Sequence, residues 1–153
     1  MDVQIFQYKE SQLEEIRIIV NDFLSFITNE LSKPPRIFNL DVDHEVDFTM
    51  NNLDKFAESD GRSLWVKVDG QIAGTISLRK IREYSGEIKR MYVRLKFRGE
   101  KLGNLMIEEV IRVSKENGFP KLIWWIVRFL FRPLYTLYRH LIIHCDDIDS
   151  PIP

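Results

Sequence analysis

The stretch that decides the fold runs Glu87-Ile88-Lys89-Arg90-Met91-Tyr92-Val93, then Arg94-Leu95-Lys96-Phe97, then Arg98-Gly99-Glu100-Lys101-Leu102-Gly103. A strand ends at Val93, a short basic turn follows, and a helix opens with glycines beside it. The first free amides of a helix point outward and carry partial positive charge, so such a junction is an anion site. Gly99 and Gly103 remove side chains that would keep a phosphate from the backbone. Arg90, Arg94, Lys96, Arg98 and Lys101 add positive charge at the same place. The competing readings of this cluster are a solvated turn and a weak nucleic-acid patch.

Outward from this junction, the elements fall into a recognisable order. Val3 to Tyr8 alternates apolar and polar residues as a first strand does. Ser11-Gln12-Leu13-Glu14 has capping-box spacing, and Leu13, Ile16, Val20, Phe23, Leu24 and Ile27 follow at helical spacing until Pro34-Pro35. Val46, Met50, Leu53 and Ala57 share one face of a second helix, from about Asp43 to Ala57. Leu64, Val66 and Val68 run into Asp69-Gly70, a pair that suits a two-residue hairpin turn, and Ile72 to Leu78 returns. Beyond the decisive turn, Leu102, Leu105, Met106, Val110 and Val113 form one helical stripe that Gly118 closes, and Lys121 to about Trp125 reads as a fifth strand. The order β-α-α-β-β-β-α-β predicts an α+β or mixed α/β fold, a mostly antiparallel sheet flanked by helices, followed by an irregular tail.

Composition bounds the function. At 153 residues the chain has the size of one domain, and 44% hydrophobic with 29% charged residues is an ordinary globular mixture. A net charge of -1 offers no extended basic face, which argues against a nucleic-acid partner. The single cysteine, Cys145, excludes an intrachain disulfide framework and a cysteine-rich zinc site. Met1 to Tyr8 lacks the pattern of a secretory signal, so a cytoplasmic setting is expected.

The junction from Val93 to Gly103 resembles the core motif of the GNAT N-acetyltransferases: a strand ending in valine, a four-residue gap, then Arg/Gln-x-x-Gly-x-Gly/Ala opening a helix. Arg98 takes the first position of that motif and Gly103 the last, while Lys101 stands where the family usually has its middle glycine. The resemblance covers residues 1–121. It implies acetyl-CoA as co-substrate and transfer of its acetyl group to a primary amine, by direct attack in a ternary complex. It also implies that the fourth strand splays from the fifth, leaving Met91, Tyr92 and Val93 to hold the pantetheine arm. Arg98, Gly99, Lys101, Leu102 and Gly103 would hold the pyrophosphate. Glu87 is the implied base or acceptor-binding carboxylate, and its rival reading is a solvent-facing glutamate paired with Lys89 or Arg79.

The chain changes character after Lys121. Residues 122–153 contain no Gly, Lys or Glu and carry Trp124 and Trp125. They are expected to be a divergent C-terminal segment of the same domain as the core at 1–121. Leu137-Tyr138 resembles the family's helical Leu-Tyr pair, whose tyrosine protonates the departing thiolate; a packed aromatic is the alternative for Tyr138. Leu122 to Ile143 has the length of a membrane span, but Arg128, Arg132, Arg139 and Pro133 interrupt it, which leaves an interfacial helix as the membrane reading.

Weaker motifs are set aside. His44-Glu45 lacks the second histidine of a zinc protease, and Asp41 and Asp43 lack the rest of a calcium loop and suit a helix cap instead. His140 and His144 are four apart and could share a helix face as metal ligands do, but there is no third ligand, so no metal is expected. The leading expectation is an acetyl-CoA-dependent N-acetyltransferase acting on a small-molecule or peptide amine. A non-catalytic CoA-binding or partner-binding module and a membrane-surface protein are the rivals. An exposed apolar tail would favour a homodimer.

Overall fold

The computed structural model describes residues 1–7, 10–31, 40–53, 61–129 and 136–145. The strands are β1 Val3–Gln7, β2 Gly61–Val68, β3 Gln71–Arg82, β4 Ser85–Val93, β5 Lys121–Phe129 and β6 Thr136–His144, and the helices are α1 Leu13–Leu31, α2 Val42–Met50 and α3 Leu102–Glu116. They form one sheet in the order β1-β2-β3-β4-β5-β6, antiparallel throughout except for the parallel β4–β5 pair. The expected fold class holds.

Two apolar layers sandwich the sheet. Ile16, Ile19 and Val20 of α1 and Val46 of α2 bury against Trp65, Ile72 and Tyr92. On the opposite face Met106, Ile107, Val110 and Val113 of α3 pack on Leu64, Val66, Ile76, Leu78 and Ile88. The hairpin turn is as predicted: Asp69 at φ 48 and Gly70 at φ 77 both take the left-handed conformation of a type I′ turn.

Local signals account for the ends of the helices. Asp41, rather than Asp43, caps α2, its carboxylate accepting the His44 amide at 3.1 Å. The helix ends at Met50, short of the expected Ala57, which lies outside the described residues. Ser11 falls within a turn of 3₁₀ helix, Glu10–Gln12, that runs into α1, so it does not stand outside the helix as a capping box requires. Gly118, at φ 75, follows the α3 C-cap Asn117.

The tail is the main correction. The expected short fifth strand extends to Phe129, and the segment read as irregular or as an interfacial helix forms the β5–β6 antiparallel ribbon, Lys121 opposite His144 through Phe129 opposite Thr136. Trp, Ile, Val, Tyr and Thr favour a pleated surface, and as strands rather than a helix they cannot form the amphipathic interfacial element. His140 and His144 therefore lie along one strand, several residues apart, and not on adjacent turns of a helix. Leu122 and Cys145 are fully buried in the α3-side core, so this segment packs with the rest.

Candidate active site

The site is built where β4 parts from β5. Pairing between them runs only from Ser85–Lys121 to Ile88–Trp124, although both strands continue. Beyond Ile88, β4 is bonded on its β3 side alone, through Lys89–Ser77, Tyr92–Thr75 and Val93–Gly74. Gly86, opposite Leu122 within the paired stretch, leaves room for close packing there: a Cβ would lie 2.7 Å from Leu78 Cδ1 and 3.0 Å from Leu122 Cδ2.

A β-bulge then re-aims the strand. The register shifts between Thr75 and Ser77, so β4 spends an extra residue there, and Arg90 sits at φ 51. The bulge turns Met91 and Val93 to the α3-side core and Tyr92 to the α1 side. The Arg94 amide donates to Ala73 O at 2.9 Å, so Arg94 faces β3, and alternation turns the amides of Val93 and Met91 to the open edge.

The turn beyond Val93, where the sequence leads one to expect an anion site, has a left-handed backbone at two positions. Gly99 adopts φ 93 and Lys101 φ 56, both left-handed, and Lys101 is the α3 N-cap without a side-chain cap bond. Among the described residues the amides of Gly99, Glu100, Lys101, Leu102 and Gly103 have no backbone acceptor. A Cβ at Gly103 would meet only the Met91 methyl at an ordinary 3.4 Å, so packing within the chain does not demand glycine there. Leu102 is buried against Ala73 and Val68, which anchors the first helical turn to the sheet.

The side chains expected around this turn have separate duties. Arg98 Nε donates to Val93 O at 3.0 Å while its guanidinium stacks 4.9 Å from the Phe26 ring centre and 5.7 Å from that of Tyr92. Arg94 Nε donates to Asp22 Oδ2 at 2.6 Å, which ties α1 to the end of β4. Lys96 Nζ bonds Gln71 Oε1 at 2.6 Å. Asp22 and Phe26, both on α1, escaped the sequence reading because neither carries a motif; the polar Asp22 inside an apolar periodicity was the only signal.

Glu87 lies at the apex of the splay and is not solvent-facing. Its side chain is 10% exposed, and Arg79 Nη2 and Nε donate to Oε2 at 2.6 and 3.2 Å, with Lys89 Nζ 3.8 Å away. Burial, then repulsion from Arg79, lowers the Arg90 guanidinium from its ordinary value. Tyr138 lies on β6 opposite Val127, beyond the last β4–β5 pair, and on a strand instead of the expected helix; its side chain lies outside the described residues. Among the described residues no group of three or more His, Cys, Asp or Glu is placed to hold a metal. No described helix is long and apolar enough to cross a membrane.

Solved acetyltransferases share this fold. PaiA N-acetyltransferase from Thermoplasma acidophilum, in complex with coenzyme A, superposes with TM-score 0.67 at 16% identity, over 84% of this chain and 81% of that one. A GNAT-family acetyltransferase from Staphylococcus aureus Mu50 gives 0.62 at 23% identity, over 82% and 74%. Glucosamine-6-phosphate N-acetyltransferase from Arabidopsis thaliana gives 0.57 at 19%, over 81% and 82%. No curated protein sequence matches the chain. The model of the acetyltransferase (GNAT) family matches residues 24–141, and the chain belongs to that family. It is an acetyltransferase, with acetyl-CoA as co-substrate.

Proposed function

We propose that this chain is an N-acetyltransferase that passes the acetyl group of acetyl-CoA to a primary amine by direct attack in a ternary complex. The observation that carries the reading is the open edge of β4, which ends in unpartnered amides and has a buried carboxylate at its apex. Acetyl-CoA supplies an acetyl group activated as a thioester. The outward amides of Met91 and Val93 bond the cofactor arm as a missing strand would, with Tyr92 bracing them from the α1 side. The amides of Gly99, Lys101, Leu102 and Gly103 receive the pyrophosphate, with Arg98 beside them.

An amine is protonated near neutral pH and cannot attack until a base takes that proton. Glu87 is the base, directly or through one water. Its position at the apex supports this, because the open edge of β4 begins two residues further on, after Ile88. Tyr138 gives a proton to the leaving sulfur. The supporting test is CoA release from acetyl-CoA across a panel of amines. Glu87→Gln should lower kcat by about a hundredfold or more, Tyr138→Phe by a smaller factor, and neither should abolish CoA binding. Full activity in Glu87→Gln would remove it as the base.

A second reading has one observation in its favour. Because Arg79 already grips Glu87, the chain would bind CoA and turn over no amine. Binding without CoA release on any acceptor would favour it.

A further inference from the structure

We propose that the acceptor is an amine bearing an anionic group a few bonds away, and that this group draws Arg79 off Glu87. The inference rests on the reading of the site as an amine acetyltransferase and adds the class of acceptor. The charges are ordered by depth. The Glu87 side chain is 10% exposed, whereas Lys89 is 42% and Arg79 59% exposed, so a carboxylate forms the floor and two cations the rim. All three belong to one face of the sheet, since Arg79 is opposite Glu87 and Ser77 opposite Lys89 on alternate rungs, with Leu78–Ile88 between them. Ser63 and Ser77 continue that face inward, buried, their hydroxyl oxygens 3.0 Å apart.

A bare ammonium ion entering such a site passes two positive rim groups to reach one carboxylate that is already paired. Arg90, the next residue of β4, is a further basic group close by, its guanidinium lowered first by burial and then by repulsion from Arg79. An amine with its own carboxylate or phosphate reverses both terms. Its anion meets Arg79 and Lys89 at the rim, where a guanidinium makes strong forked bonds to such groups. Arg79 holds Glu87 through Oε2 alone, with Nε at 3.2 Å, so the grip is uneven and exchangeable. Once Arg79 turns to the acceptor, Glu87 is left for the ammonium. The same swap explains how a glutamate held by arginine can serve as a base, and it delays that service until the right acceptor is present.

Matched pairs of acceptors test this: β-alanine against β-alaninamide for a carboxylate, and phosphoethanolamine against ethanolamine for a phosphate. The kcat/KM of the anionic member should exceed that of its partner by about tenfold or more, the worth of one charge-assisted bond. The pair with the larger ratio identifies the anion. Arg79→Gln, shown to be folded by circular dichroism and a cooperative melt, should collapse the ratio toward one, and Arg79→Lys should restore part of it. Equal kcat/KM within both pairs, or a ratio untouched by Arg79→Gln, overturns the inference while leaving the acetyltransferase reading intact. Transfer to no amine at all overturns the reading beneath it.

Discussion

Lys101 occupies a backbone position at φ 56 that glycine would occupy without strain, at the point where the family motif has its middle glycine. Its side chain is exposed and does not cap the helix, so its conformation is imposed by the turn. Lys101→Gly should stay within about 1 kcal/mol of wild type, because relief of the left-handed strain is offset by a freer unfolded chain. Lys101→Val, β-branched at the same φ, should lose about 1 kcal/mol. Urea unfolding midpoints compare the two, and equal midpoints would mean the turn relaxes. Tyr92 makes a second residue-scale prediction. Burial, then Asp22, raises its hydroxyl above the ordinary value, with Arg98 and Arg94 pulling it back. A raised folded-state value gives stability that is full below about pH 10 and lost as pH rises through the folded value. Tyr92→Phe should therefore unfold less steeply on alkaline titration. At neutral pH the ring stays uncharged, packed between Phe23 and Phe26 with centroids 5.8 and 5.6 Å away.

At the scale of elements, the parallel contact between β4 and β5 is short and depends on one glycine. Gly86→Ala would place a methyl against Leu78 and Leu122, both buried in the α3-side core, and should destabilise the fold by about 1–3 kcal/mol. Thermal melting of the variant checks this; an unchanged melt would show that the two leucines move aside. Why some elements were legible and others hidden follows from what encodes them. The Asp69-Gly70 turn, the stripe of α3 and the basic turn at Arg98 are written in neighbouring residues. The bulge at Arg90 is not, because a period-2 pattern on a strand with mixed faces carries no mark of one extra residue. The β5–β6 ribbon was hidden for another reason. From Leu122 to Phe131 only Arg128 breaks an apolar run, and a continuous apolar run shows neither helical nor strand period. The candidate site divides the same way. The glycines and Glu87 stand in the local motif, and Arg79 was already a candidate partner of Glu87 across the β3–β4 hairpin, whereas Asp22 comes from a helix far away in sequence.

Across the whole molecule, the ribbon and the sheet share one core. Leu122 and Cys145 are both fully buried there, the Cys145 amide bonds Pro120 O at 2.8 Å, and Phe119 O receives the Ser114 hydroxyl. A chain ending at Lys121 would expose the β4 edge from Gly86 to Ile88 and remove the buried Leu122 and Cys145. It should lose its cooperative melt, which circular dichroism would show; a truncated chain with a sharp transition would mean that the core folds without the ribbon. We propose that the open edge of β4 and the amides from Gly99 to Gly103 together make a CoA site. Calorimetric titration of the full chain with acetyl-CoA, beside Gly103→Glu, tests it most directly. Saturable one-to-one binding is expected in the wild type and its loss in the variant, where a carboxylate enters the anion site. A folded wild type that takes up no acetyl-CoA, or a variant that binds as tightly, would contradict it.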